Sequence, residues 1–368
     1  MPSTVFFIDL RATYKESFID KLGKLLEAAA LSRVVKKRDL TAVKLHFGEL
    51  GNTAFIRPVF IRKIVDCIKD AGAAPFLTDA NTLYVGTRSD APHHIATAIR
   101  NGFALPVVDA PIIFADGLRG KSETAVTINQ KRFKKVYIGT EIVEANSFVS
   151  VAHFKGHELS GFGGALKNTG MGCASRKGKL AQHSVVSPKV KAKKCVGCGD
   201  CILRCSQKAI AMVKTKARIS AKKCIGCGEC ILICPNEAIA IQWNEAVPVF
   251  LEKMVEYTLG VLKGKEDRAL FVNFITDVSP ACDCPPFNDA PIVHNIGVVA
   301  STDPVAIDQA SVDLVNQQRA LPDSCLKKNR LPGKDKFKAL YPDIDWPIQL
   351  KYGEKIGLGS RRYKLEKI

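Results

Sequence analysis

Residues 195–205 read CVGCGDCILRC and residues 224–235 read CIGCGECILICP, so one run of four cysteines occurs twice. In each run, three cysteines are separated by two residues, and the fourth follows after three more. Three thiolates at this spacing can bind one face of a metal cluster, whereas the fourth must come from a distant segment. Intervening glycines let the loop wrap closely and leave backbone N–H groups free for cluster sulfur atoms. A zinc ribbon instead has two C-x-x-C pairs, and a disulfide framework is typical of small secreted domains.

This spacing is the signature of bacterial ferredoxins with two [4Fe–4S] clusters, in which the fourth cysteine of each run binds the cluster of the other run. We therefore expect residues 189–243 to form a ferredoxin-like module with two [4Fe–4S] clusters. The expected ligands of the first cluster are Cys195, Cys198, Cys201 and Cys234. Those of the second cluster are Cys224, Cys227, Cys230 and Cys205.

The remaining sequence is long enough for a further domain. The chain has 368 residues and is 46% hydrophobic, which suffices for a sizeable core beside the module. No apolar run approaches the ~20 residues of a membrane helix, so we expect no membrane association. The 13 cysteines and the lack of a recognisable signal peptide predict a reducing cytoplasm. Oxygen-sensitive clusters would favour an anaerobe.

Positive charge is concentrated in two segments of a chain whose net charge is +18. Residues 189–242 contain 11 Lys/Arg against 3 Asp/Glu, and residues 327–368 contain 12 against 5. One interpretation is compensation of the negative clusters together with a solvated basic tail. The alternative is a docking surface for an acidic electron carrier such as a ferredoxin or flavodoxin. Nucleic-acid binding is not predicted, because no recognition motif accompanies the charge.

Strand-like and helix-like segments alternate on both sides of the cysteine module. Strands are predicted at 4–9, 41–47, 74–79, 106–109, 147–152, 269–275 and 296–301. Helices are predicted at 16–31, 58–71, 91–101, 246–262 and 304–316. This alternation indicates an α/β fold with a mainly parallel sheet. We expect an α/β core in two parts, 1–188 and 244–326, with the module inserted between them and a basic C-terminal tail at 327–368.

Residues 151–183 contain most of the side chains outside the module that are suited to chemistry. This glycine-rich stretch holds His153, Lys155, His157, Lys167 and Asn168. A strand ending near residue 152 would place the first two at its carboxyl end, where open α/β sheets bind ligands. A single histidine is more often structural, but this concentration of histidines and lysines favours a site.

Two other segments are expected to reach the same crevice. His46 ends one predicted strand, and Asp79 ends the next. Cys282 and Cys284 form a C-x-C pair after the strand at 269–275. Such a pair could bind a metal or accept electrons as a dithiol, and the alternative is a loop with two unpaired thiols.

Five segments resemble a family of iron–sulfur-centre proteins that carry a two-cluster ferredoxin module within a domain of unknown function. They are VKLHFGE at 43–49, FKGH at 154–157, GALKN at 164–168, SPACDC at 279–284 and ASTDPVAID at 300–308. The α/β domain of that family is distantly similar to the N-terminal part of the nickel-pincer lactate racemases. In those enzymes, histidines and a lysine at an interdomain cleft act on a 2-hydroxy acid and hold the cofactor. The resemblance implies a cleft, but no particular reaction, at His153, Lys155, His157 and Lys167.

The resulting hypothesis is a redox protein in which electrons enter at the module and pass to a site in the crevice. The expected catalytic residues, which would bind an anionic small molecule and move a proton, are His153, Lys155 and Lys167. The expected cofactor-binding residues are His46, His157, Asn168, Cys282 and Cys284, and a flavin or a further metal is left open. One alternative is an electron carrier or assembly partner without its own substrate. The other is a non-redox isomerase or racemase-like enzyme with structural clusters.

Overall fold

The computed structural model describes residues 2–184, 187–243 and 245–368. The strands are β1 (Ser3–Asp9), β2 (Leu40–Lys44), β3 (Ala74–Thr78), β4 (Glu123–Thr127), β5 (Lys135–Gly139), β6 (Ser147–His153), β7 (Lys155–His157), β8 (Gly161–Gly163), β9 (Lys189–Val190), β10 (Ile210–Val213), β11 (Lys216–Ile219), β12 (Ile239–Ala240), β13 (Ala269–Ile275), β14 (Gly297–Ser301) and β15 (Tyr363–Lys367). The helices are α1 (Phe18–Ala28), α2 (Leu31–Val34), α3 (Pro58–Asp70), α4 (Ala91–Arg100), α5 (Leu105–Val108), α6 (Thr140–Glu144), α7 (Ala165–Gly170), α8 (Arg176–His183), α9 (Asp200–Leu203), α10 (Glu229–Ile233), α11 (Val247–Leu262), α12 (Pro304–Asn316), α13 (Lys336–Leu340) and α14 (Pro347–Lys355). Within these described ranges, every helix is too short or too polar to cross a membrane.

The central sheet has seven strands in the order β15-β1-β14-β13-β6-β2-β3. The pairs β15–β1, β13–β6, β6–β2 and β2–β3 are parallel. Strand β14 runs antiparallel to both of its neighbours, β1 and β13. The predicted fold class, α/β with a mainly parallel sheet, is therefore confirmed. In the parallel block β13-β6-β2-β3, all strands end at the same edge, so the loops that follow them meet there.

Local signals explain where several helices begin. Ser17 caps α1, because its hydroxyl accepts from the N–H of Asp20 while the Asp20 carboxylate accepts from the N–H of Ser17. Asp303 caps α12 by accepting the N–H groups of the next helical turn at 2.8 and 2.9 Å. The strand predicted at 106–109 is wrong, since this segment forms helix α5 with Pro106 in its first turn.

Hydrophobic residues cover the central sheet on both faces, as is typical of parallel strands. Along β13, Phe271 packs in one apolar cluster, and its neighbours Leu270 and Val272 pack in the other. Helices α11, α12 and α14 contribute to the first cluster, and helices α1 and α3 contribute to the second. Because both faces are covered by apolar side chains, polar groups for chemistry concentrate where the strands end.

The central sheet and the helices that cover it form the α/β body of the protein. Residues 327–368 are part of this body and do not form a separate tail. Their last strand, β15, pairs with β1 in parallel from Ser3 opposite Tyr363 to Phe7 opposite Lys367. Helix α14 packs against α11. The segment that was expected to be a basic tail therefore supplies an edge strand and two helices to the α/β body.

Residues 187–243 fold around a small apolar cluster of their own. Strand β9 pairs with β12, and β10 pairs with β11 as a hairpin. Short helices α9 and α10 lie at equivalent positions of the two cysteine runs and contain Cys201 and Cys230. Leu83 and Leu180 of the α/β body are part of the module's apolar cluster. The module is therefore packed against the body through shared core residues.

Candidate functional site

A cavity of about 260 Å³ lies at the carboxyl ends of β2 and β6 and reaches the loop after β13. Its polar, aromatic and sulfur-containing lining residues come from distant segments: Lys44, His46, Asp79, Thr82, Tyr84, Arg88, His153, Lys155, His157, Glu158, Lys167, Asn168, Lys179, His183, Trp243, Cys282 and Cys284. The structure thus brings together all eight crevice residues that the sequence indicated. Their roles in catalysis and binding stay a prediction.

Asp283, between the two cysteines of the loop, fixes two side chains of the cavity. Its Oδ1 atom lies 2.9 Å from Nδ1 of His153, and its Oδ2 atom lies 2.9 Å from Nζ of Lys155. Burial alone would raise the pKa of Asp283, but the charges of His153 and Lys155 outweigh burial and hold that pKa far below its usual value. Asp283 is therefore an ionised carboxylate that orders this wall of the cavity.

The contacts of both ring nitrogens fix the position of His153. Its Nε2 atom faces the carbonyl oxygens of Thr276 at 2.9 Å and Asp277 at 3.2 Å, and these oxygens only accept. Its Nδ1 atom faces the ionised carboxylate of Asp283, which also only accepts. Both ring nitrogens therefore face acceptors of the protein itself, and neither is left for a substrate. This geometry does not suit the proton transfer expected of His153, and it makes the ring a support for the loop.

His46 presents a ring N–H group to Cys284. The backbone N–H of Gly48 donates to Nδ1 of His46 at 3.0 Å, so the proton of the neutral ring is on Nε2. Burial, followed by the charge of Arg88, lowers the pKa of His46, so the ring is neutral at physiological pH. Nε2 lies 3.6 Å from Sγ of Cys284 and therefore donates to this sulfur atom.

The two thiols of the C-x-C pair differ in protonation. Hydrogen bonds from Cys282 and His46, together with the charge of Lys167, hold the pKa of the Cys284 thiol well below its usual value. Hydrogen bonding to Cys284 and burial raise the pKa of Cys282 well above its usual value. The pair therefore keeps one proton, with the negative charge on Cys284.

Lys167 differs from the other lysines of the cavity in its partners. Among the described residues, its Nζ atom has no hydrogen-bond acceptor and no carboxylate within ion-pair distance, whereas Lys44 pairs with Asp79 at 3.0 Å. Burial opposes the charge of Lys167, but the sulfur atoms of Cys282 and Cys284 outweigh burial and raise its pKa. An ammonium group that stays charged without a fixed partner is suited to bind an anion from solution.

His157 is held with its Nδ1 atom toward the backbone. The N–H groups of Leu159 and Ser160 donate to Nδ1 at 3.2 and 3.1 Å, so the proton of the neutral ring is on Nε2. Burial lowers the pKa of His157 well below its usual value, which keeps the ring neutral. One ligand atom each of His157, Glu158 and Cys282 lie within 4.8 Å of one another, a spacing that a metal ion can bridge. A ligating Nε2 would need the ring proton on Nδ1, which already accepts two N–H groups, so the ring suits a hydrogen-bond donor better than a metal ligand.

The eight cysteines of the module line two small cavities. The first is lined by Cys195, Cys198, Cys201 and Cys234. The second is lined by Cys205, Cys224, Cys227 and Cys230. Each cavity takes three cysteines from one run and the fourth from the other, which is the exchange that the ferredoxin pattern predicts. Cluster binding itself stays a prediction.

The surroundings of these cysteines fit an iron–sulfur cluster. The backbone N–H groups of Ala209 and Ala238 lie 3.2 Å from the sulfur atoms of Cys205 and Cys234, at equivalent positions of the two runs. Such N–H···S bonds are typical of cluster sites. Burial and the neighbouring thiols raise the pKa of Cys230 to about 12. Thiols in this environment become stable thiolates only beside positive charge, which bound iron would supply.

The second cysteine run contacts the wall of the large cavity. Leu83 lines that cavity and also belongs to the module's apolar cluster. A Cβ atom on Gly228, within the second run, would lie 3.0 Å from Cδ1 of Leu83. Glu229 lies 3.5 Å from Arg176 and 3.1 Å from Lys121 of the body. The four-cysteine site of the second run is therefore fixed against the crevice by apolar and charged contacts.

Several cavity residues were missed in the sequence. Lys44 donates to Oδ1 of Asn168 at 2.9 Å, which makes Asn168 a positioning residue for this lysine. Arg88 is buried and donates to Glu49 at 3.1 Å and to the hydroxyl of Tyr84 at 2.7 Å. A lysine inside an otherwise apolar strand was a usable signal for Lys44. No local pattern marks Arg88, because only long-range contacts bury it.

These observations define an α/β protein with an eight-cysteine module and a cationic cavity at the edge of its sheet. Residues 41–313 match the family described as domain of unknown function DUF362. The match covers more than half of the chain, and the protein therefore belongs to this family.

A solved structure similar to this chain is the lactate racemase apoprotein from Thermoanaerobacterium thermosaccharolyticum, with a TM-score of 0.45 and 14% sequence identity. The similarity covers 87% of this chain and 59% of that chain, so this protein spans less than two thirds of the length of the other. The comparison with curated proteins found no match.

Proposed function

We propose that this DUF362 protein is an iron–sulfur redox protein, in which two [4Fe–4S] clusters serve a substrate site in the crevice. The observation that carries the proposal is the sorting of eight cysteines into two mixed sets of four, one of them packed against the cavity wall. When bound, the clusters would supply electrons one at a time. The module would be residues 189–243, between the α/β parts 1–188 and 244–326.

The cavity supports an anionic substrate. Lys167 is the lysine with a free charge, and Lys155 is already held by Asp283 at 2.9 Å. An anion bound to Lys167 would lie in the same cavity as His157, whose Nε2–H group can donate a hydrogen bond to it. We therefore assign anion binding and proton transfer to Lys167, a supporting hydrogen bond to His157, and support of the loop to His153.

We propose that the electron donor docks at the first cysteine run. Val196 and Leu203 are 66% and 85% exposed there, although both are apolar. The surrounding residues 189–242 carry 11 Lys/Arg against 3 Asp/Glu. An apolar centre with a basic rim suits an acidic one-electron carrier such as a ferredoxin or flavodoxin. The reduction rate by such a carrier should fall as salt increases and as Leu203 is changed to Asp.

Iron and sulfide analysis tests the cluster proposal. Full-length protein purified without oxygen should contain about eight iron and eight sulfide per chain. A folded protein without iron after reconstitution would contradict it. If the protein is only an electron carrier, small carboxylates should not raise its thermal stability. If the crevice binds an anionic substrate, some small carboxylates should raise it, and Lys167→Gln should abolish this increase. Epimerisation of a 2-hydroxy acid by protein whose iron is not reducible would favour the isomerase alternative.

A further inference from the structure

Two cysteines outside the module share the wall of the crevice. Cys282 and Cys284 both line the cavity, while the intervening Asp283 is fixed by its ion pairs. The loop is also held to the body, because the N–H of Gly156 donates to the carbonyl of Ser279 at 2.9 Å. The two thiols are therefore displayed together on a loop of defined conformation.

The spacing of this pair permits a disulfide. Residues i and i+2 are at most ~7 Å apart even in a fully extended chain. A disulfide requires a Cα separation of ~4.4–6.8 Å, so closure asks only for a local adjustment of the loop.

The surroundings also make one sulfur atom the nucleophile. The Nε2–H group of His46 lies 3.6 Å from Sγ of Cys284, and the charges of Arg88 and Lys167 act on the same sulfur atom. Thiol–disulfide exchange requires a thiolate as the attacking group. Cys173 provides the contrast, since burial raises the pKa of its thiol to about 12.

We propose that Cys282 and Cys284 are a redox-active pair whose disulfide is the two-electron acceptor of the crevice. Oxidation by a reducible anionic substrate in the crevice forms the S–S bond, releases the proton of Cys282 and passes two electrons to that substrate. Reduction breaks that bond, takes up two electrons and one proton, and restores the thiolate and the thiol. Each of the two clusters can give one electron, which together supply the two electrons that reduce the disulfide. This source of electrons rests on the proposed function. The thiol chemistry itself does not depend on the clusters.

The sequence permits a direct test. No Lys or Arg lies between Arg268 and Arg319, so trypsin releases both cysteines in one peptide that contains no other cysteine. Full-length protein purified without oxygen is equilibrated with mixtures of reduced and oxidised dithiothreitol, alkylated with N-ethylmaleimide and digested. We expect the peptide to change from two adducts to none in one step as the mixtures become more oxidising. The ratio of disulfide to dithiol in the peptide should change tenfold for a tenfold change in the ratio of oxidised to reduced dithiothreitol. Two adducts in every mixture, or a stable state with one adduct, would overturn the proposal.

Variants separate the roles of the two sulfur atoms. Cys282→Ser should leave Cys284 rapidly alkylated below pH 7 and unable to form the disulfide. In that background, His46→Ala should move the midpoint of the alkylation pH profile upward by about one pH unit, because the N–H donor is lost. An unchanged midpoint would refute the role of His46. Iron is measured on the same samples. Absence of iron together with a normal disulfide step would refute the proposed iron–sulfur function but not the redox-active pair. About eight iron per chain without any disulfide formation would refute the redox-active pair but not the iron–sulfur function.

Discussion

Replacing Asp283 by Asn should destabilise the protein strongly. The carboxylate is buried and lies 2.9 Å from both the His153 ring and the Lys155 ammonium group. Removing one partner of a buried ion pair typically costs about 3–5 kcal/mol, because the remaining charge stays buried without compensation. We expect a decrease of this size in the free energy of unfolding, measured by urea denaturation of the full-length protein without oxygen.

Asp289 is the matched control for this substitution. It follows Asp283 by six positions on the same connection, is exposed, and accepts only from the neighbouring N–H of Ala290 at 2.8 Å. Asp289→Asn should therefore change the free energy of unfolding by no more than about 0.5 kcal/mol. A difference of less than about 1 kcal/mol between the two variants would show that the Asp283 ion pairs do not stabilise the loop.

The pH dependence provides a second check on the Asp283 variant. The pKa of Asp283 is lowered in the folded protein, so its stabilising contribution is complete above the ordinary aspartate pKa of about 4 and is lost as the pH falls below it. The stability difference between wild type and Asp283→Asn should therefore persist at pH 5 and decrease as the pH falls below about 4. A difference that disappears at pH 5 would contradict the lowered pKa.

Three other substitutions have specific expected outcomes. Cys205→Ser should lose about half of the iron, together with the spectroscopic signal of the cluster on the second run. Cys173→Ser, outside both runs, should keep all of the iron. Loss of the signal of the first-run cluster in Cys205→Ser would refute the exchange of the fourth ligand between the runs. Lys167→Gln should weaken binding of a stabilising carboxylate by about tenfold or more in calorimetry, and unchanged affinity would place the anion elsewhere. Glu229→Gln should weaken the ion pairs between the cysteine module and the rest of the protein. The cluster absorbance should then be lost at a lower temperature, whereas the unfolding temperature measured by circular dichroism should change less. Coincident shifts of both transitions would argue against a local role.

The features that the sequence predicted correctly depend on short-range patterns. The alternation of apolar strands and amphipathic helices indicated a mainly parallel sheet, and the structure confirms it. His46 and His153 were expected in one crevice because each follows a predicted strand, and carboxyl ends of parallel strands meet at one edge. The pairing of β15 with β1 could not be predicted, because 353 residues lie between the two strands and β15 is too polar and exposed to show a buried pattern.

The contacts of the crevice histidines could also not be predicted from short-range sequence patterns. The fixed position of the His153 ring depends on two carbonyl groups at 276 and 277 and on Asp283, all more than 120 residues away. The hydrogen bond between His46 and Cys284 joins residues 238 positions apart. Residue types alone suggested proton transfer for His153, and only the contacts of its two nitrogen atoms show that both already face acceptors of the protein. Long-range geometry thus decides which histidine can react.

The position of β1 has a consequence for synthesis on the ribosome. Its sheet partners, β14 and β15, begin at residues 297 and 363, so β1 is synthesised long before either of the strands that it pairs with. During that time, both edges of an apolar strand lack their native hydrogen-bond partners, and unpaired edges promote association between chains. The block β2-β3-β6 and the cysteine module are complete much earlier. Nascent chains stalled before residue 297 should therefore recruit chaperones at residues 3–9 more strongly than chains stalled after residue 368.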